Sequence, residues 1–303
     1  MEKVLSGKPI AARIKANIKA WVQECELAPK MFLIQLGKDP AAEFYVQNII
    51  ATGAKLGCEV KLLDLPADTS QSQLLAEIRT ANADSSIHGI MIQKPLPGHI
   101  EDGIVASSVA PEKDIDCLNP VNLGKIILEE DGLVPATPLA VLSMLKYYRI
   151  TVQGARVLII GRSSIVGKPL ANMLLWKKSY ANASVTVCHS RSKNLKELTR
   201  SADIVIAALG RPEFVTADMI KENCVLIDVG INEKIAPDGK SRYVGDVDYN
   251  SCLDKALAIT PVPGGVGSVT TPLLFLNLLK ACMAASGQNK TVDDFLGLIF
   301  DDI

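Results

Sequence analysis

Twice along this chain, helix-length amphipathic segments alternate with short apolar runs of strand length, and that repetition leaves few folds open. Over residues 9–27 apolar side chains recur at helical spacing (Ile10, Ile14, Ile18, Trp21, Val22), and Pro29 closes the helix ahead of a strand-like run at 31–36. Helix at 40–56, strand at 60–65, helix at 70–83 and strand at 87–93 follow. A second alternation opens with the apolar run at 156–160, a Gly-rich turn and a helix to about residue 176, and continues with strands at 184–188, 204–208 and 225–229. Parallel strands need crossover connections, so the pattern predicts an α/β fold with two largely parallel sheets covered by helices. A helix at 138–148 is expected to bridge the halves, and the helix after Thr270 to return to the first. At roughly 150 residues per domain, 303 residues make two domains, and 48% apolar content suffices for two cores.

Charge removes several function classes. Lys and Arg (32) balance Asp and Glu (33), leaving no surplus to hold nucleic acid or an anionic membrane. Seven scattered cysteines form no CxxC pair and the three histidines show no ligand spacing, so reduced thiols and no metal are expected. Residues 1–23 are amphipathic and basic, without the apolar core of a signal peptide. With no apolar run near the ~20 residues of a bilayer span, the expectation is a soluble, cytoplasmic protein.

The turn Gly161-Arg162-Ser163-Ser164-Ile165-Val166-Gly167-Lys168-Pro169 lies between a strand and a helix, where a dinucleotide fold places its phosphate loop. It departs from GxGxxG, and a purely structural strand-to-helix loop is the other reading. The next strand ends Cys188-His189-Ser190-Arg191-Ser192, without the carboxylate that, ~20 residues on, bonds the ribose hydroxyls of NAD. Hydroxyls and a guanidinium suit a 2′-phosphate, and Arg162 offers a second fork of donors, so NADP is the expected cofactor. Solvated loop polarity is the alternative for Arg191.

Further segments accompany this turn: Gly37-Lys38-Asp39-Pro40-Ala41 with Tyr45-Val46, Gln93-Lys94-Pro95-Leu96-Pro97, Pro111 to Asp116, Pro135-Ala136-Thr137-Pro138, and Pro261-Val262-Pro263-Gly264-Gly265-Val266-Gly267. Together they resemble the bifunctional methylenetetrahydrofolate dehydrogenase/methenyltetrahydrofolate cyclohydrolase family over nearly the whole chain. The resemblance implies an N-terminal folate-binding α/β domain over residues 1–138, completed by C-terminal helices at about 270–303. It also implies a C-terminal Rossmann-type parallel-sheet NADP-binding domain over 139–269, an active site in the interdomain cleft, and a homodimer. The implied reaction is oxidation of 5,10-methylenetetrahydrofolate to the methenyl form by hydride transfer to NADP.

By the same resemblance, Asp116 grips the pterin, Tyr45 stacks along the folate, and Gln93 is the active-site glutamine. Pro261 and Gly265 approach the substrate, Ile231 lies near the nicotinamide, and Gly161, Arg162, Ser163, Ser190 and Arg191 hold the rest of the cofactor. Taken singly, Asp116 also reads as a surface-turn carboxylate and Tyr45 as a core residue. The family's lysine, four residues after the tyrosine, is Ile49 here. An aliphatic chain cannot move a proton, so cyclohydrolase activity is expected to be absent or very weak. Cys117 stands where a glycine is usual, Ala42 where serine is, and Ser268-Val269 where Pro-Met is. Lys94 replaces a leucine, and the sequence raises the hypothesis that its ammonium serves the site, although strand alternation turns it away from Gln93. Two other readings stay open: a folate or NADP sensor without catalysis, and a fully bifunctional enzyme with another water-activating group. The tail at 291–303, with Phe295, Leu296, Leu298, Ile299 and Phe300 among carboxylates, is expected to pack on a core edge.

Overall fold

The computed structural model describes residues 2–37, 40–235, 241–288, 291, 293–294 and 296–297, and it divides into two compact units. Helix α1 (Lys8–Glu24) carries the chain from one unit into the other.

The unit containing Arg13–Ala136 and the described residues from Thr271 onward is built on three parallel strands: β1 (Lys30–Leu36), β2 (Glu59–Leu65) and β3 (Gly89–Ile92), in the order β2-β1-β3. Met31 lies opposite Val60 on one side and Gly89 on the other. Central β1 is buried from Met31 to Leu36, which is why it is apolar except for Gln35, whose Nε2 donates to Gly37 O; edge strand β2 is partly exposed along its length. Helices α2 (Pro40–Leu56), α3 (Gln71–Ala83), α4 (Asp102–Ser108) and α5 (Pro120–Leu128) belong to this unit. Helix α3 starts at a capping box, Ser70 Oγ accepting from the Gln73 N–H while Gln73 Oε1 accepts from the Ser70 N–H. On one face of the sheet Phe32, Ile34, Ile90 and Ile92 pack with Leu74 and Ile78 of α3 and Val105 of α4. Each fully buried side chain of this kind contributes about 1.5–3 kcal/mol.

The other unit contains residues 2–12 and Thr137–Thr270. Its helices are α6 (Ala136–Tyr147), α7 (Gly167–Leu175), α8 (Leu195–Ser201) and α9 (Tyr249–Cys252). Its strands β4 (Arg156–Ile160), β5 (Ser184–Cys188), β6 (Ile204–Ala207), β7 (Val225–Asp228) and β10 (Ala258–Ile259) form a parallel sheet in the order β10-β7-β6-β4-β5. An antiparallel pair, β8 (Asn232–Ile235) and β9 (Ser241–Val244), precedes β10. The sheet does not end at β10. Val4 bridges Ile259 in parallel, with the Leu5 N–H donating to Ile259 O (2.8 Å) and the Ile259 N–H to Lys3 O (2.8 Å). Residues up to Ala12 therefore group with the dinucleotide half rather than with the first domain as the sequence suggested. A two-residue edge strand recruits them through backbone hydrogen bonds, which leave no trace in side-chain periodicity.

Helix α10 (Gly267–Ala285) begins before the expected Thr270 and is long and apolar enough to cross a membrane, contrary to the sequence reading. It is a core helix instead, with 78% of the apolar window buried inside the protein. Its Asn277 donates from Nδ2 to Ile115 O and Val134 O, and its Lys280 bonds Asp131 Oδ1 and Gly132 O. In the tail Leu296 is buried; Phe295, Leu298, Ile299 and Phe300 lie outside the described residues.

Candidate active site

Residues 45, 49, 52 and 56 of α2 recur at three- and four-residue spacing and share one face of the helix. Tyr45 is half-buried near its start. Burial, then the negative charge of Asp116, pushes its phenol up to about 12, against a hydrogen bond from the Thr271 side chain. Tyr45 is thus a neutral hydroxyl throughout the physiological range. One turn on, Ile49 is 0% exposed. Lys38 and Asp39 of the preceding motif, and the side chains of Pro40, Ala41 and Ala42, lie outside the described residues.

The charged run Glu112-Lys113-Asp114 looks like solvated surface and is not. Lys113 Nζ donates to Ala81 O (3.2 Å), Asn82 O (2.8 Å) and Asp84 O (2.7 Å), capping the C-terminus of α3. Buried Asp114 bridges to Ile90 and accepts from the N–H groups of Leu118 (3.1 Å) and Asn119 (2.8 Å) and from Asn122 Nδ2 (2.9 Å). Ile115 is buried, and Cys117 is buried with Sγ donating to Leu133 O (3.2 Å). Cys117 holds φ +57°, the left-handed region that glycine prefers and that suits the glycine the resemblance implies there. Asp116 is fixed between these anchors and half-buried. Burial and the neighbouring Asp114 push its carboxyl up to about 6, with Lys94 acting the other way. At pH 7 and above it is predominantly a carboxylate in a shielded, organised turn, so the surface-turn reading falls.

Gln93 continues the ladder beyond β3, its N–H donating to Ile34 O (2.8 Å). Its Nε2 donates to Lys94 O (2.7 Å), while Oε1 is buried without a protein partner. A buried acceptor left unpaired costs about 1–3 kcal/mol, so a donor from a bound molecule is its natural complement. Lys94 shares strand parity with Ile90 and Ile92 and lines a recess with them and with Asp114 and Asp116. Its Nζ lies 2.8 Å from Asp102 Oδ1 on α4.

In the other unit, Gly161 follows β4 at φ +134°, and a Cβ there would overlap Ala208 O, so only glycine allows the turn. Ser163 Oγ accepts from the N–H groups of Val166 (3.1 Å) and Gly167 (3.4 Å) at the start of α7. Arg162, Ser163 and Ser164 are exposed. The Gly161 N–H donates to Cys188 O (2.8 Å), bringing the end of β4 beside the end of β5. There His189 to Ser192 form a closed turn, with the Ser192 N–H donating to His189 O and the His189 N–H to Ser192 Oγ, and Ser190 and Arg191 are exposed. Strand β4 has β5 on one side and β6 on the other, so the chain reverses direction across the sheet at this strand. Open α/β sheets bind ligands at the carboxyl ends of strands at such a switch point.

Two buried carboxylates that the sequence reading missed organise the neighbouring loops. Asp246 accepts from the N–H groups of Leu209 (2.6 Å), Gly210 (3.0 Å) and Arg211 (2.9 Å) after β6, and from Asn232 Nδ2 (2.9 Å). Asp228 accepts from Gly230 (3.0 Å), Asp246 (3.0 Å) and Val247 (2.8 Å), and burial pushes it up to about 7. The signal was present as Asp228-Val229-Gly230 and Gly245-Asp246: a Cβ on Gly230 or Gly245 would overlap the facing carboxylate. Ile231, 61% exposed, rides on the loop so held. Pro261 and Gly265 lie on a turn secured by the Gly7 N–H to Gly264 O (2.8 Å). Tyr45, Ile49, Gln93, Lys94 and Asp116 thus belong to one unit, and Gly161, Arg162, Ser163, Ser190, Arg191, Ile231, Pro261 and Gly265 to the other. No cluster of three His, Cys, Asp or Glu side chains among the described residues is placed to hold a metal.

Residues 5–116 match the model of the tetrahydrofolate dehydrogenase/cyclohydrolase catalytic domain, and residues 135–286 that of the NAD(P)-binding domain of the same family. A bifunctional protein FolD from Chlorobium phaeobacteroides is 44% identical over 288 residues, 92% of this chain and 97% of that protein. The bifunctional methylenetetrahydrofolate dehydrogenase/cyclohydrolase FolD of Campylobacter jejuni is similar at TM-score 0.87 and 38% identity, over 93% of this chain and 98% of its own. The Trypanosoma brucei methylenetetrahydrofolate dehydrogenase-cyclohydrolase, solved with NADP cofactor and inhibitor, is similar at TM-score 0.87 and 34% identity, over 93% and 98%.

Proposed function

Because this chain belongs to the tetrahydrofolate dehydrogenase/cyclohydrolase family, we infer that it oxidises 5,10-methylenetetrahydrofolate to 5,10-methenyltetrahydrofolate with NADP. The observation that carries the reading is Asp116, a half-buried carboxylate held by an anchored turn. A pterin edge offers a ring N–H and an amino group as a paired donor, which a carboxylate accepts with both oxygens. Gln93 Oε1 supplies a further acceptor, and Tyr45, a phenol and not a phenolate, supplies a donor and an aromatic face.

Bound NADP supplies the hydride acceptor. The cradle suits it: Gly161 admits close backbone approach after β4, and Arg162, Ser190 and Arg191 are the exposed residues that would hold the 2′-phosphate. The residues at the pterin need perform no proton transfer in the oxidation, because the folate nitrogen lone pair stabilises the emerging cation; their work is alignment. Arg191→Ala is expected to raise KM for NADP by about 10- to 100-fold, the loss of a charged hydrogen bond of about 1.5–3 kcal/mol. KM for NAD should stay within about twofold. Equal loss for both nucleotides would remove Arg191 from phosphate recognition.

Hydrolysis of the methenyl product has different requirements. Ile49, fully buried where the resemblance expects a lysine, can neither take a proton nor orient water. We therefore propose an enzyme that accumulates methenyltetrahydrofolate. The test is to mix protein, methylenetetrahydrofolate and NADP and follow the NADPH and methenyl bands together. Both should rise, and Ile49→Lys, whose shielded amine would have a lowered pKa, should accelerate loss of the methenyl band by at least about tenfold. Binding without turnover would favour a sensor, and rapid wild-type hydrolysis would favour full bifunctionality. The reading includes a homodimer in the cytoplasm, supported there by seven unpaired cysteines, six of them buried.

A further inference from the structure

We infer that Lys94 is a positioning residue for the pterin-binding carboxylate: its ammonium, anchored by Asp102 beside the recess that Asp116 lines, keeps Asp116 charged for the pterin edge. The inference rests on the reading that Asp116 receives the pterin. Three observations lead to it. Asp114 and Asp116 sit two residues apart in a shielded turn, a placement that disfavours two charges. Asp114 meets this with the N–H groups of Leu118 and Asn119 and the side-chain amide of Asn122 on α5, all three directed at Asp114. The compensation available to Asp116 is the ammonium of Lys94, which lines the same recess as both carboxylates.

The lysine is held for this purpose. Its side chain is 29% exposed, and its Nζ is 2.8 Å from Asp102 Oδ1, itself 68% exposed at the start of α4. A pair so open to water contributes little stability, but it fixes where the charge sits. Gln93 Nε2 binds the Lys94 carbonyl, fixing the backbone as well. Parity with Ile90 and Ile92 puts Lys94 on the side of β3 covered by α4, not on the side to which Gln93 points. This geometry assigns it to Asp116 rather than to the vacant role at Ile49.

Among the described residues, the other groups acting around Asp116 carry no positive charge: Asp114 on its own turn, the neutral phenol of Tyr45 on α2, Asp102 on α4 behind Lys94, and the adjacent Cys117 thiol, which burial pushes up. Removing Lys94 therefore raises the Asp116 pKa, and the carboxylate form is lost between the old midpoint near 6 and the new, higher one. Binding of folate through Asp116 should fail in that window and recover above it.

The test combines two measurements on the full chain. In protein labelled with 13Cγ-aspartate, with the Asp116 signal assigned through Asp116→Asn, Lys94→Met and Lys94→Gln should raise its titration midpoint by about one unit or more, and Lys94→Arg should leave it in place. For a one-unit shift, KM for methylenetetrahydrofolate in Lys94→Met should rise about threefold at pH 6.5, with kcat little changed, and converge on wild type by pH 9. An unmoved midpoint in both variants, or a loss uniform across pH, would overturn the inference. Failure of the underlying reading looks different: Asp116→Asn would then keep wild-type KM, while the carbon titration would still report on the lysine.

Discussion

Exchange of Asp116 for asparagine is expected to lower kcat/KM for 5,10-methylenetetrahydrofolate by two to three orders of magnitude while leaving NADP binding intact. The substitution keeps shape and volume but turns one acceptor oxygen into a donor that faces the donors of the pterin. Two charge-assisted hydrogen bonds at about 1.5–3 kcal/mol each are weakened or reversed. A net loss of about 3–4 kcal/mol corresponds to 10²–10³-fold. Steady-state kinetics and fluorescence titration with NADPH separate the two effects, and an equal loss in both would mean the turn had collapsed. The pH profile provides a second readout: the wild-type acidic limb near 6 should vanish in the variant. Stability should move the opposite way. The carboxyl titrates near 6 in the fold against 3.8 as reference, so the folded state disfavours its charged form above that range. Neutral asparagine removes that penalty, and the variant should gain about 1–3 kcal/mol at pH 8 and little at pH 4.

The second large effect is structural. Gly161→Ala should destabilise the dinucleotide-binding unit by about 3–5 kcal/mol, lower its melting temperature by about 10 °C and weaken NADP binding more than 100-fold. The new methyl would meet the backbone oxygen of Ala208, and Ala208 cannot withdraw because its N–H is bonded to Ile160 O (2.9 Å) between neighbouring strands. The φ of +134° adds strain that no L side chain relieves. Gly154, at φ +72° with open space around it, is the control: alanine there should cost about 1 kcal/mol and leave the nucleotide site untouched. Differential scanning calorimetry and NADPH titration decide, and equal behaviour of the two variants would show that the contact with Ala208 is not the constraint.

What could be read in advance follows a physical division. Strands β1, β4, β6 and β7 are buried along nearly their whole length, so their sequences are mostly apolar and announce themselves. Strands β8 and β9 bury almost nothing and leave no periodic signal, and β10 is two residues long. The short helices α4, α5 and α8 escaped for want of length. At the candidate site, Gly161 and the turn after β5 were legible because a sharp strand-to-helix turn constrains residue type and position together. Asp114, Asp228 and Asp246 were not, because their partners are backbone N–H groups whose availability only the folded chain reveals. Lys94 stands out as a departure from the family motif, and strand alternation already turns it away from Gln93, but its pairing with Asp102 had to be seen.

The rung that Val4 adds beside Ile259 has a bearing on how this chain is made. Its two sides are separated by about 250 residues, so at 5–20 residues per second a ribosome needs on the order of ten seconds or more to deliver the second. The earlier-made side of the rung therefore waits for its partner, and a fragment cloned from Thr137 onward would expose a bare sheet margin prone to self-association.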